Sequence, residues 1–120
     1  MLGDLQSVDS IPFLLENLTF HVFYKEAKRA QDISDAHPCA GALIAIGTPS
    51  LDPIITKAEE TDDKDTNRIA SWVVMKILHG EAGSYIQERV ESQSDEAIQR
   101  RLLSMKHTID LWRSTIKGID

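Results

Sequence analysis

The chain has 120 residues, of which 42% are hydrophobic and 27% charged, with a formal net charge of −6. That length suits a single domain with its own core, and the lone cysteine, Cys39, excludes an internal disulfide. The acidic balance argues against a nucleic-acid binder, and no window approaches the ~20 apolar residues of a membrane span.

The charge is uneven. Residues 1–65 hold twelve acids and five bases, residues 66–93 three of each, and residues 94–120 four acids and five bases. Met1 to Asp9 reads as a polar, frayed start. Asp4 and Asp9 stand where a secretory signal needs positive charge, so a cytoplasmic protein is expected. Asn17-Leu18-Thr19 matches a glycosylation sequon, which matters only on a secretory route. Ser10 is an N-cap residue type, and Pro12 falls in the first turn, where a missing N–H costs nothing. Ile11, Leu14, Leu15, Leu18 and Val22 then recur at helical spacing, with Phe13, Phe20, Phe23 and Tyr24 widening the face. The spacing predicts a helix from Ile11 to about Ala30.

Pro38 opens a second helix, in which Cys39 to Ile46 is apolar apart from Gly41. A helix apolar all round is expected to be buried, and its alanine content favours helix over a buried strand. Gly47 suits the helix C-terminus. Ser50 is the expected cap of a third helix, with Leu51, Ile54, Ile55 and Ala58 on one face. After a charged loop, Asp65 or Thr66 is expected to cap a fourth helix. Its stripe is Ile69, Ala70, Val73 and Ile77, extended by Trp72, Val74, Met75 and Leu78. His79 and Gly80 end it, and a fifth helix starts at Ser84. Ser94 is the expected cap of the last helix, which ends at Gly118. Ile98, Leu102, Met105, Ile109, Trp112 and Ile116 form a heptad seam along it. Leu43, Ile46, Ile54, Ile55, Ile69, Val73 and Ile77 are the predicted core.

Three segments share a plan of Gly, a few small residues, Ser, then a helix with paired aliphatics. They are Gly3 with Ser10-Ile11-Pro12-Phe13-Leu14-Leu15, Gly47 with Ser50-Leu51-Asp52-Pro53-Ile54-Ile55, and Gly80 with Ser84-Tyr85-Ile86. A recurrence of this kind suggests stacked helical hairpins. Together with Ala45-Ile46-Gly47 before a proline-containing helix, and Asp65 followed by Arg68, the pattern resembles a HEAT-like, armadillo-type repeat protein, best between Cys39 and Val90. The resemblance implies an all-α stack of about six helices over residues 1–120, closed by a longer C-terminal capping helix. It also implies a scaffold that binds other proteins on a concave face lined by the second helices.

No catalytic residue and no metal site is expected. Asp63-Lys64-Asp65-Thr66-Asn67 begins like a calcium loop, but Arg68 and Val74 stand where Gly and Glu are required. His21, His37, His79 and His107 lack paired ligand spacing. Cys39 reads as a small buried hydrophobe. The serines read as caps, since none lies in a nucleophile elbow. Gly80-Glu81-Ala82-Gly83 lacks the lysine of a phosphate loop, and Trp72 and Trp112 read as core anchors.

A non-catalytic protein–protein interaction module without a cofactor is therefore expected. The alternative is a small enzyme or ligand-binding domain with a site between the second helices. Glu59, Glu60, Glu88 and Glu91 are the candidate binding residues; on the concave face they would attract a basic partner. A monomer is expected, with the C-terminal seam covering the end of the stack. A dimer through that helix is the competing arrangement.

Overall fold

In the computed structural model, which describes residues 8–19 and 37–115, the described residues form six α-helices and no strand. They are α1 (Ile11–Glu16), α2 (Pro38–Ile46), α3 (Leu51–Glu59), α4 (Lys64–Leu78), α5 (Ala82–Ser92) and α6 (Glu96–Thr115). Short 3₁₀ turns, Val8–Ser10, Thr48–Ser50 and His79–Glu81, lead into α1, α3 and α5. No single described helix is long and apolar enough to cross a membrane.

The first helix is shorter than its periodicity suggests. It ends at Glu16, where the Asn17 side-chain amide donates to the Phe13 carbonyl at 2.9 Å. A side chain that bonds the last turn competes with continuation of the helix. Ile11, Leu14 and Leu18 are buried, whereas Phe13 is 56% exposed instead of widening the apolar face. Val22, Phe20, Phe23 and Tyr24, and the expected run to Ala30, lie outside the described residues.

Helix α2 has the expected bounds, and Gly47 follows it with φ +87°, a conformation open to glycine and costly for other residues. The chain bends there by 119° between α2 and the Thr48–Glu59 segment. Ser50 stands at the expected N-cap position of α3, but its side chain makes no capping bond. It is fully buried, and its hydroxyl donates to the Leu43 carbonyl at 2.9 Å, tying the start of α3 to the end of α2. At the end of α4 the positive φ falls on His79, +53°, and not on Gly80. Helix α5 starts at Ala82, two residues before Ser84.

Two caps are displaced from their expected positions. Helix α4 is capped by Asp63, which accepts from the Thr66 N–H at 3.0 Å and the Thr66 hydroxyl at 2.7 Å. Helix α6 is capped by Asp95 instead of Ser94, with Ala97 and Ile98 N–H groups donating to its Oδ1 at 2.8 and 3.2 Å. Each carboxylate accepts its bonds at the helix N-terminus and complements the helix dipole there, and which of the apt residues does so is set by how the loop arrives. The expected end of α6 at Gly118 lies outside the described residues.

The helix buried on every side is α4. Ile69, Ala70, Ser71, Trp72, Val73, Val74 and Met75 are buried in succession, because α2, α3, α5 and α6 all pack around this segment. The Ser71 hydroxyl resolves its own burial by donating to the Asn67 carbonyl at 2.8 Å. By contrast α2, expected to be buried all round, turns Cys39, Ala40 and Leu43 inward and leaves Pro38 and Ala45 exposed. Of the predicted core, Leu43, Ile54, Ile55, Ile69 and Val73 are fully buried, and Ile46 and Ile77 are partly buried against it.

The seam of α6 is used within the chain. Leu102, Met105 and Ile109 are fully buried, Ile98 and Trp112 pack at the margin, and the helix lies against α5, α4 and α3. Trp112 meets Trp72 edge-on, ring centroids 5.3 Å apart, and the Lys76 ammonium sits 5.6 Å from the Trp72 ring centre. Leu103 and Leu111, which lie off this seam, are 45% and 52% exposed. They lie well round the helix from the Leu102–Met105–Ile109 stripe, so one partner layer cannot reach both sets. Ile116 lies outside the described residues.

Candidate functional site

A groove of about 600 Å³ lies between the start of α4 and α6. Its floor is held by bonds that cross between elements. The Arg101 guanidinium donates Nε–H to Asp62 Oδ1 at 2.8 Å, and a terminal N–H to the Glu59 carbonyl at 2.7 Å. One side chain therefore fastens α6 to both the end of α3 and the loop that follows it. The Asn67 amide donates to the Arg101 carbonyl at 3.1 Å, joining α4 to α6. Thr61 Oγ1 accepts from the Asp63 N–H at 3.1 Å, shaping the loop that leads into the α4 cap.

Electrostatics follow from these commitments. The hydrogen bond from Arg101 holds the Asp62 carboxyl below the usual carboxylate range, and the same bond raises Arg101. The two bonds from Thr66 hold Asp63 low as well. The groove carries four cationic side chains, Lys64, Arg68, Arg100 and Arg101, against the single carboxylate of Asp62. Arg101 is committed to Asp62, whereas Lys64 and Arg100 have no ion pair to any described residue. Arg68 reaches only 3.9 Å from Asp65, with both side chains largely in solvent. Asn67, Ser104 and Thr108 add uncharged polar groups to the lining. An acidic chain thus presents a locally basic, donor-rich hollow.

The four candidate glutamates are distributed differently. Glu59 accepts from Arg89 at 3.4 Å through both carboxylate oxygens, and its side chain is only 13% exposed. Arg89 also donates to Asp52 at 3.0 Å, and the Tyr85 hydroxyl donates to the same Asp52 oxygen at 3.0 Å. This cluster ties α3 to α5. Burial, followed by the bond to Asp52, raises the Tyr85 hydroxyl above its usual range. Glu60 is the exposed residue at the end of α3. Glu88 lines a second hollow of about 430 Å³ between α5 and α6, beside Gln87, Lys106 and Asp110. Glu91 is exposed and accepts from the Gln87 amide at 3.3 Å. Glu59 and Glu88 therefore belong to separate clusters.

The remaining candidates occupy structural positions. Asp63 is the α4 cap, and Asp65 faces Arg68. Cys39 is buried, and burial pushes its thiol up. His37 is buried at the start of α2, while His79 and His107 are exposed on separate elements; His21 lies outside the described residues. Among the described residues no group of three or more His, Cys, Asp or Glu is placed to hold a metal ion.

The groove cations were not singled out by pattern. The signal for them is the Arg100-Arg101 pair within the only stretch of net positive charge, residues 94–120. Lys64 and Arg68 join that pair only through the packing of α4 on α6. Comparison with protein-family models, with curated proteins and with solved structures finds no match to this chain.

Proposed function

We propose that this chain is a non-catalytic protein-binding module whose docking surface is the groove between α4 and α6. The observation that carries the reading is that Lys64 and Arg100 have no ion pair with any described residue in a shared hollow whose neighbouring cation, Arg101, is bonded to Asp62 and the Glu59 carbonyl. Charges that stabilise a fold are found with partners. Exposed charges gathered in a concavity without them favour recognition of an opposite charge. None of the lining residues is buried and half are exposed, which suits a docked polypeptide better than an enclosed substrate.

In the same reading the pairs α2–α3 and α4–α5 are units of a HEAT-like stack. The 3₁₀ turn before α1, α3 and α5 recurs where the sequence repeats its Gly-to-Ser plan, and this supports the assignment. A cytoplasmic location accords with one unpaired cysteine, reduced thiols being the rule there.

The test is affinity capture from the source cells with the wild-type chain and with the Lys64→Glu/Arg100→Glu double variant, followed by identification of the bound proteins. The expected result is a defined set of proteins held by the wild type and lost by the variant. Recovery of the same set by both would overturn the groove as the docking surface.

A further inference from the structure

The row that Arg100 begins on α6 continues past the groove. Arg100, Ser104 and Leu111 stand at steps of four and seven, which places them along one line of the helix surface. Thr108 lines the groove, and Leu111 lies one turn beyond it, 52% exposed. The row is cationic at one end, hydroxylic in the middle and apolar at the other. Eleven residues of helix separate its ends by about 16 Å, which about five residues of extended chain would span.

Of the residues that line the groove only Asp62 is a carboxylate, and it faces four cations: it takes the hydrogen bond from Arg101 and also feels the charge of Arg100. Asp65 sits 3.9 Å from Arg68 in solvent. Donor capacity is in surplus as well. The Thr61 oxygen accepts from the Asp63 N–H, leaving its own hydroxyl proton free to be donated outward.

We infer that the groove takes an extended acidic segment of a partner protein, with its carboxylates at Lys64, Arg68 and Arg100 and one apolar side chain, about five residues away, on Leu111. This rests on the protein-binding reading above and narrows it to one partner chemistry. Two observations favour a peptide over a nucleic acid. The cationic patch is short, and the chain as a whole carries −6, which repels a polyanion that is charged along its whole length. A segment with its charge at one end and an apolar residue at the other matches the row at both ends.

The test is an array of immobilised fifteen-residue peptides, in which acidic, basic or neutral blocks are placed at varied spacing and in both directions from a single leucine. It is probed with the full chain, and a single-stranded oligonucleotide series is spotted beside it. The expected signal falls on acidic peptides with leucine about five residues from the block, and weakens with added salt. In solution, anisotropy with the best fluorescent peptide should show about tenfold weaker binding for Lys64→Glu/Arg100→Glu. Leu111→Ser should weaken it about fivefold, as should replacing the peptide leucine by serine. Lys64→Gln/Arg100→Gln serves as a second variant, with circular dichroism confirming that each retains its helices.

Signal on basic or neutral peptides that vanishes in the charge variants would overturn the acidic partner while leaving the groove as a protein-binding site. A signal indifferent to Lys64 and Arg100, or a silent array, would overturn the inference. Preferential binding of the oligonucleotides would overturn both readings.

Discussion

Two charged regions of this molecule use the same residue types to opposite ends. In the α3–α5 cluster, Arg89 is 28% exposed in its side chain and shares its donors between Asp52 and Glu59, while Tyr85 donates to the same Asp52. In the α4–α6 groove, Arg101 is engaged in a similar way, but Arg100 beside it and Lys64 opposite are not. The difference lies in geometry, since the side chains are chemically alike. Arg89, on α5, reaches two carboxylates of α3, Asp52 and Glu59, that converge on it, so ion pairing there fixes how α3 meets α5. Arg100 projects toward solvent across a hollow whose only lining carboxylate is already taken. The comparison teaches that a cation's partner decides whether it holds the fold or remains available for a ligand.

The comparison can be tested most severely through the packing beneath the first region. Ile55 is fully buried on α3, so Ile55→Ala should cost about 2–5 kcal/mol in chemical denaturation, by lost transfer energy and an unfilled cavity. A loss below about half a kcal/mol, the size expected at the surface, would mean that this face of α3 is not load-carrying.

Arg89→Ala should come next, at about 1–3 kcal/mol, because Glu59 would remain largely buried without its donor. A double-mutant cycle with Glu59→Gln should recover part of that loss. Independent, additive effects would show that the cluster does not couple α3 to α5.

Removing the α6 cap, Asp95→Ala, should cost about 1 kcal/mol, read as a lowered Tm. Asp95→Ser should restore most of the loss, because a hydroxyl can accept the same N–H bonds. No loss with alanine would place the effective start of α6 elsewhere.

A smaller effect is expected from pH at the groove edge. Asp62 is held low chiefly by its hydrogen bond from Arg101, and Asp63 by those from Thr66. A carboxylate with a lowered folded-state pKa adds stability that is present above its ordinary value and fades as pH falls through the folded one. The Tm gap between the wild type and Asp62→Asn/Asp63→Asn should therefore narrow as pH drops below about 4. A gap that stays constant through that range would remove the two bonds as a source of stability.

The smallest stability effect should come from Arg100→Ala, within about half a kcal/mol, because the side chain pairs with no described residue. A large loss from Arg100→Ala would erase the distinction between the two regions and make Arg100 a structural residue like Arg89.

Much of the helical framework was legible without coordinates because helices are specified locally. Pro38 and Gly47 bracket α2, and the aliphatic stripe of Leu51, Ile54, Ile55 and Ala58 marks the buried face of α3, all within a few turns. The caps were legible only to within one or two residues, since Asp63, Asp65 and Thr66, or Ser94 and Asp95, are equally apt in isolation. Which one accepts the N–H bonds depends on how the loop arrives. The end of α1 was misplaced because the Asn17 bond to Phe13 interrupts a pattern that remains apolar beyond it.

Sequence alone determined the all-helical class and most of the core, because capping and apolar periodicity act between residues close along the chain. Only the tertiary structure decided that α4, and not α2, is enclosed on all sides, since that depends on how many helices surround each one. It also decided the roles of the charges. Arg89 meets Glu59 from 30 residues away, and Arg101 meets Asp62 from 39, separations at which no local pattern is expressed. The basic groove arises in the same way. Lys64 and Arg100 come to line one groove because α4 packs against α6, and that packing sets what the surface above can hold.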